Sequence, residues 1–384
     1  AEAGLKYFVL GALASGILNS YGRFGLPAFT STLLNVVMIV FAAWLAPYSS
    51  NPGLVLAAGV FVAGVVQLAI QLPALARLGL LAWPRWGWAQ EGVRRIGRLM
   101  LPGIFGSSVA QVSLLLDTLI ASFLVTGRIA WLYYADRLVE FPMGVFSIAL
   151  ATVILPGLSS HHAAESKAEF SNTLDWALRL TMLIVAPAAV GLLMLAGPLT
   201  ATIFGYGEFG PRDVEMSSYA LMAYSLGLMG FSLVKVLAPG YFARQDTKTP
   251  VKVGIIALGS NIAFNVAVVV PAYLAGFAAP HALLALSTGL SAILNSALLY
   301  RGLRRSEVYR PTGHWRRLWP QVLLANAGMA AFLWWAAGDW AAWREMAALE
   351  RVWRTAACVG GGGAGSLALV WGARAPPAGF RSAK

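Results

Sequence analysis

An all-α polytopic membrane protein is the fold class this sequence predicts, and three observations carry it. The 384 residues are 58% hydrophobic and 11% charged, against roughly 25% charged in a soluble domain. Apolar runs of roughly 20 residues, long enough to cross a hydrocarbon core as a helix, recur along the chain. The basic residues fall in the short connections between those runs, as a bilayer requires. They do not form one stripe, so the net charge of +12 does not point to nucleic acid. Mean hydropathy is +0.69.

Eleven windows read as spans: about 4–20, 27–46, 53–74, 99–125, 129–157, 173–196, 217–241, 250–271, 278–300, 318–338 and 350–372. Pro27, Pro250 and Pro320 sit near span starts, where a missing N–H costs little. Trp83, Trp86 and Trp88 lie in the longest basic connection, and Trp315 and Trp319 flank another span start. Indoles favour the headgroup level. Residues 76–98, with five Arg, read as a cytoplasmic interfacial linker between two lobes. The predicted divisions are 1–75, 76–98, 99–300, a basic loop at 301–317, and two further spans with a tail at 318–384.

Orientation follows from the bias in Lys and Arg. One alternate set of connections holds nineteen, among them Arg77, Arg244, Lys248, Arg301 and Arg310; the other holds Arg128, Arg212, Arg344, Arg351 and Arg354. The richer set belongs in the cytoplasm, which puts the C-terminus inside. The first span then enters from outside, so an odd number of spans ahead of it would restore a cytoplasmic N-terminus. Residue 1 is Ala and no basic leader or cleavage site follows; the expectation is a fragment without its N-terminal part.

The fifth window opens WLYYADRLVEFP (131–142). Asp136, Arg137 and Glu140 are three ionisable residues at the start of a long apolar helix. Charge inside a span costs about 2.5–3.5 kcal/mol per residue on insertion scales, so it faces a protein interior or a water-filled cavity. The alternative is an ion-paired helix start near the outer leaflet. An internal repeat also suggests itself. Gly16–Phe41 and Gly240–Val270 each give a helix end, a basic turn, a Pro and an apolar helix carrying Asn. Such repeats imply two six-helix halves with a site between them.

NSYGRFGLPAFTSTLLN (19–35), the 131–159 segment, LDWALRL (174–180), AYSLGLMGFSLVKVLAPGYFARQDTKTPVKV (223–253) and LNSALLYRGLR (294–304) resemble the MurJ (MviN) family of lipid II flippases. That family lies within the multidrug/oligosaccharidyl-lipid/polysaccharide exporter superfamily. The resemblance implies a two-lobe inverted-V transporter with eleven of fourteen family spans present and the first three missing. Its implied function is not enzymatic. It is translocation of a polyprenyl diphosphate-linked peptidoglycan precursor, lipid II, across the inner membrane by alternating access. The last two spans would form a groove for the polyprenyl tail. Expected partners are lipid II and membrane lipids, with a monomeric transporter working beside cell-wall synthesis proteins, and no nucleic acid.

Arg137 is the residue expected to meet the diphosphate, because guanidinium stays charged and offers forked donors. Asp136 and Glu140 would hold Arg137 in place or repel substrate in one state. Lys235 either snorkels to the interface or lines the cavity. A second constellation, Asp117, Asn261, Asn265, Ser287 and Thr288, lies at similar depth and suits a hard coupling cation such as Na⁺. Against it stand a protonated Asp117 and plain hydrogen bonding by the Asn pair. No cofactor is expected beyond a coupling Na⁺ or H⁺. Cys358, alone in the chain, forms no intrachain disulfide.

His161 and His162 belong to a polar segment, SSHHAAESKAEFSN, which reads as a short surface helix rather than a metal site. GGGGAG (360–365) lacks the Lys-Ser/Thr of a phosphate loop and reads as helix packing. The rival functions are another superfamily transporter, such as an O-antigen-unit flippase or a drug/cation antiporter, and a membrane enzyme on lipid-linked sugars. The enzyme would need an acidic site, and the outer loops offer only scattered acids, Glu208, Asp213, Glu215, Asp339 and Glu345.

Overall fold

The structure, a computed structural model, describes residues 2–21, 23, 25–80, 91, 92, 94, 97, 115, 119 and 128–372. Every regular element among the described residues is a helix. The chain divides into two compact units, Ala1–Val93 and Arg94–Lys384.

In the first unit α1 (Glu2–Ser20) and α2 (Gly25–Val40) both pack on α3 (Pro52–Arg77). α2 runs on through a π turn at Phe41–Leu45 and a 3₁₀ turn at Ala46–Tyr48. α3 starts where it does because the Asn51 side chain accepts from the Leu54 N–H and Pro52 fills the first turn, where no donor is needed. Ala14, Leu18 and Leu75 form the core. Ser15 donates to Gln71 Oε1 at 3.0 Å, and Gln67 Nε2 donates to the Thr30 carbonyl at 2.7 Å. Such bonds tie helices together where lipid offers no hydrogen-bonding alternative.

In the second unit α4 (Arg128–Pro142), a π turn (Met143–Ile148) and α5 (Ala149–Ala163) make one long helix. Then come α6 (Lys167–Met194), the short α7 (Ala196–Phe204), α8 (Pro211–Phe242), and α9 (Lys248–Phe264). α9 continues through a π turn (Asn265–Val269) into α10 (Val270–Leu274). α11 (Pro280–Arg305), α12 (Trp315–Ala337), α13 (Trp340–Glu345) and α14 (Ala348–Gly372) follow. α8 is central and packs on α4, α6 and α11. Its contact with α11 is backbone against backbone. A Cβ on Gly227 would lie 2.3 Å from the Gly289 Cα, and one on Gly230 would lie 2.5 Å from the Ile293 nitrogen. Small residues permit this approach, and close packing is what holds helices together in lipid.

Two apolar cores lie along α8. One gathers Ile154, Phe170, Leu174, Leu237, Leu299 and Tyr309, the other Ala135, Val139, Leu221 and Leu228. A third core, with Leu195, Met329, Leu333, Trp343 and Cys358, fastens α12, α13 and α14 to the α6–α7 junction.

Helices occupy ten of the eleven expected windows; 99–125, with Asp117, lies almost wholly outside the described residues, and Asp117 itself does. Seven described helices are long and apolar enough to cross a membrane. The SSHHAAESKAEFSN segment is not a separate surface helix. His161 and His162 close α5, a turn passes through Glu165 at φ +56°, and α6 begins at Lys167. In the glycine run, Cβ atoms on Gly361 and Gly362 would meet Phe332 and Leu333 at 2.8 and 3.0 Å, so it serves packing of α14 on α12.

The two segments compared as a repeat share a feature invisible in the letters. Pro27 and Pro250 are each the third residue of their helix, and each helix loosens into a π turn, at Phe41 and at Asn265.

Candidate functional site

α4 has two faces. Trp131, Ala135 and Val139, spaced four apart, are buried. Tyr133, Arg137 and Glu140 form a ridge on another side. Arg137 Nη1 donates to Glu140 Oε2 at 2.6 Å, and its guanidinium carbon lies 4.7 Å from the Tyr133 ring centroid. The Arg137 and Glu140 side chains are 51% and 43% exposed. The guanidinium is therefore oriented by a carboxylate and a ring yet remains accessible, with further donors available for an anion. Asp136 is partly buried beside both.

Directly after this ridge, Pro142 and the π turn widen the helix. There Ser147 Oγ donates to Ser232 Oγ on α8 at 2.8 Å, both buried. π turns inside helices recur at functional sites. Lys235, on α8, is exposed and sits seven residues before the helix end, roughly 10 Å along the axis at 1.5 Å per residue.

Asn261, Asn265, Ser287 and Thr288 do come together. Asn265 Nδ2 donates to Asn261 Oδ1 at 3.2 Å, Asn261 Nδ2 to Thr288 Oγ1 at 3.4 Å, and Ser287 Oγ to the Asn261 carbonyl at 3.1 Å. Asn261, Asn265 and Ser287 are fully buried. The network joins α9 to α11 beside the π turn. Among the described residues no group of three His, Cys, Asp or Glu is placed to hold a metal. Arg137, Lys235 and the Asn network do not bond to one another among the described residues.

Four polar anchors escape a reading of the sequence. Asp175, wholly buried on α6, accepts from Tyr309 Oη (2.8 Å), Trp315 Nε1 (2.7 Å) and both the amide and hydroxyl of Thr312 (3.3 and 2.8 Å). Arg179 Nε lies 2.9 Å from its other oxygen. Its sequence signal was available: an acid and an Arg four residues apart in an apolar helix. Asp213 is not a loose outer acid, since it accepts from Trp131 Nε1 at 2.7 Å and from the Gly210 amide at 2.9 Å, capping α8. Arg351 donates to the Ala201 and Gly205 carbonyls, and Arg354 to those of Ala336 and Ala337, so each caps the C-terminal end of a neighbouring helix.

Residues 6–353 match the family model of the lipid II flippase MurJ. The chain is 46% identical over 348 residues to a probable lipid II flippase MurJ of Haemophilus influenzae, covering 89% of this chain and 67% of that one. It is 46% identical over 368 residues to the Vibrio cholerae counterpart (95% and 68%), and 42% identical over 361 residues to lipid II flippase MurJ of Burkholderia cenocepacia (92% and 68%). The chain thus spans about two thirds of these relatives. Its fold is that of a solved lipid II flippase MurJ in an inward closed conformation, with TM-score 0.71 at 20% identity over 94% of this chain and 71% of that one. A Vibrio cholerae MATE transporter, VcmN, shares it more distantly, with TM-score 0.59 at 14% identity over 80% and 69%. The chain is a multi-pass membrane protein, a transporter and not an enzyme, and it belongs to the lipid II flippase MurJ family.

Proposed function

We propose that the chain carries lipid II from the cytoplasmic to the outer leaflet of the inner membrane by alternating access, and that Arg137 receives its diphosphate. The supporting observation is the accessible guanidinium within the family motif 131–159, oriented by Glu140 and Tyr133. A diphosphate is at least dianionic, and moving it bare through hydrocarbon is prohibitive. A forked cation at the cavity wall lowers that cost. Glu140 holds the guanidinium while the site is empty and yields it to phosphate. Asp136 keeps a second negative charge nearby, which favours release once the site reopens. Lys235 supplies a second cation on α8.

The α9–α11 amide network reads best as interhelical glue, with a coupling Na⁺ site only if Asp117 completes it. The basic turns and the C-terminus face the cytoplasm, the protein acts as a monomer, and it works beside cell-wall synthesis proteins.

Purified protein should bind lipid II more tightly than its Arg137→Ala form by about 10–100-fold, the worth of one or two charge-assisted hydrogen bonds. Equal affinities would remove Arg137 from the site. An Asp117→Ala variant with unchanged transport and unchanged Na⁺ dependence would dismiss the coupling-ion reading.

A further inference from the structure

The loop between α11 and α12 is unusually well held for a polar connection. Ser171 and Asp175, one turn apart on α6, grip it from below. Ser171 Oγ receives the Arg310 amide at 2.9 Å and donates to the Arg310 carbonyl at 3.2 Å. Asp175 receives Tyr309, Thr312 and Trp315. Tyr309 is 1% exposed, and burial together with the Asp175 carboxylate pushes its phenol well above its ordinary value, so it stays a donor. The backbone of Arg310 is thus fixed at both its amide and its carbonyl, while its side chain is 77% exposed.

This clamped loop leads into a helix face of two parts. Arg316 and Arg317 are exposed in the first turn of α12. Leu323 and Leu324, seven residues on, stand two turns below them on the same face, about 10 Å along the axis. Leu323 is 63% exposed, Leu324 71% and Trp319 46%. The whole connection carries Arg301, Arg304, Arg305, Arg310, Arg316 and Arg317 against a single acid, Glu307, which pairs with Arg310 at 3.2 Å.

We propose that this face binds one anionic phospholipid, its phosphodiester headgroup held by Arg310, Arg316 and Arg317 and an acyl chain laid along Trp319, Leu323 and Leu324. The exposed arginines complement an anionic headgroup, and the exposed apolar residues below them run in the direction of its acyl chain. General attraction of basic loops to a membrane needs no fixed backbone. Here Ser171 and Asp175 fix the backbone that carries Arg310, and α12 fixes that of Arg316 and Arg317, so binding has only their side chains left to order.

The test is thermal melting of the protein in neutral detergent, with added phosphatidylglycerol or phosphatidylethanolamine of identical acyl chains. Phosphatidylglycerol should raise the melting temperature by about 2–4 °C more than phosphatidylethanolamine at roughly tenfold excess over its dissociation constant. The surface triple variant Arg310→Gln, Arg316→Gln, Arg317→Gln should lose that difference. A second triple variant of equal charge loss, Lys248→Gln, Lys252→Gln, Arg304→Gln, should keep it. No lipid preference in the unaltered protein, or the same preference in both triple variants, would overturn the proposal. A polyprenyl diphosphate or inorganic phosphate giving the same Arg310/Arg316/Arg317-dependent shift would also overturn it, by naming a different occupant.

Discussion

Arg137 and Asp175 are both charged residues on apolar helices, and their surroundings assign them opposite work. Arg137 pairs with Glu140 while half exposed, and a pair of that kind contributes about 0–1 kcal/mol to stability. Arg137→Ala should therefore leave abundance and melting nearly unchanged while transport falls at least about tenfold. A variant that failed to accumulate would mark the pair as structural instead. Asp175 is wholly buried, accepts four hydrogen bonds and has the Arg179 guanidinium beside it. Asp175→Asn strands Arg179 and should cost about 3–5 kcal/mol; limited proteolysis should then cut the 306–314 loop first, and an unchanged cleavage pattern would refute the clamp. Asp246 lies in the turn before α9. Partial burial works to raise its carboxyl, but hydrogen bonds from the Thr249 hydroxyl and amide prevail and hold it below its ordinary value. A carboxyl lowered on folding contributes stability above its unfolded value, about 3.9, and loses it as pH falls through the folded one. Melting of the unaltered protein should consequently fall more steeply below about pH 4 than that of Asp246→Asn; identical profiles would contradict this.

Between helices, packing rests on close approach of backbones. Gly227 and Gly289 place α8 and α11 backbone to backbone, where neither side has a flexible atom to move. Gly227→Leu should cost well over the roughly 1–3 kcal/mol of ordinary overpacking and deplete folded protein in membranes. Gly363→Ala, with nothing within 4 Å of its added Cβ, should be neutral or slightly stabilising, since Ala is the better helix former. Equal abundance of the two variants would mean that the α8–α11 contact is not what holds the second unit. The helices themselves were legible from apolar length and from prolines at their starts, because lipid leaves the backbone few choices. What escaped were the short α7 and α13 and the three π turns. FAAWL is ordinary helical sequence, and neither the Gly of MGVFSI nor the valines of NVAVV single out a π turn. Two of the π turns adjoin contacts to distant helices, Ser147 with Ser232 of α8 and Asn261 with Ser287 and Thr288 of α11.

For the molecule as a whole, charge and hydropathy spoke for a membrane protein, and the motifs 131–159 and 223–253 spoke for the family, which the matched relatives bear out. Arg137 stood out as a candidate because an ionisable group in a span is conspicuous. Asp175, equally conspicuous, was passed over because its partners Tyr309, Thr312 and Trp315 lie more than 130 residues away along the chain. Arg351 and Arg354 read only as connection charge, and their bonds to the ends of α7 and α12 could not be read from the letters. Membership of a lipid II flippase family and one accessible, oriented guanidinium on α4 together point to Arg137 as the group that meets the diphosphate. The most direct test follows lipid II reaching the outer leaflet, in cells whose own flippase is switched off, using an externally added enzyme that cleaves it. The full-length protein should restore cleavage, and Arg137→Ala at equal membrane abundance should not. Restoration by both would reduce Arg137 to a structural ion pair, and restoration by neither would contradict lipid II as the substrate.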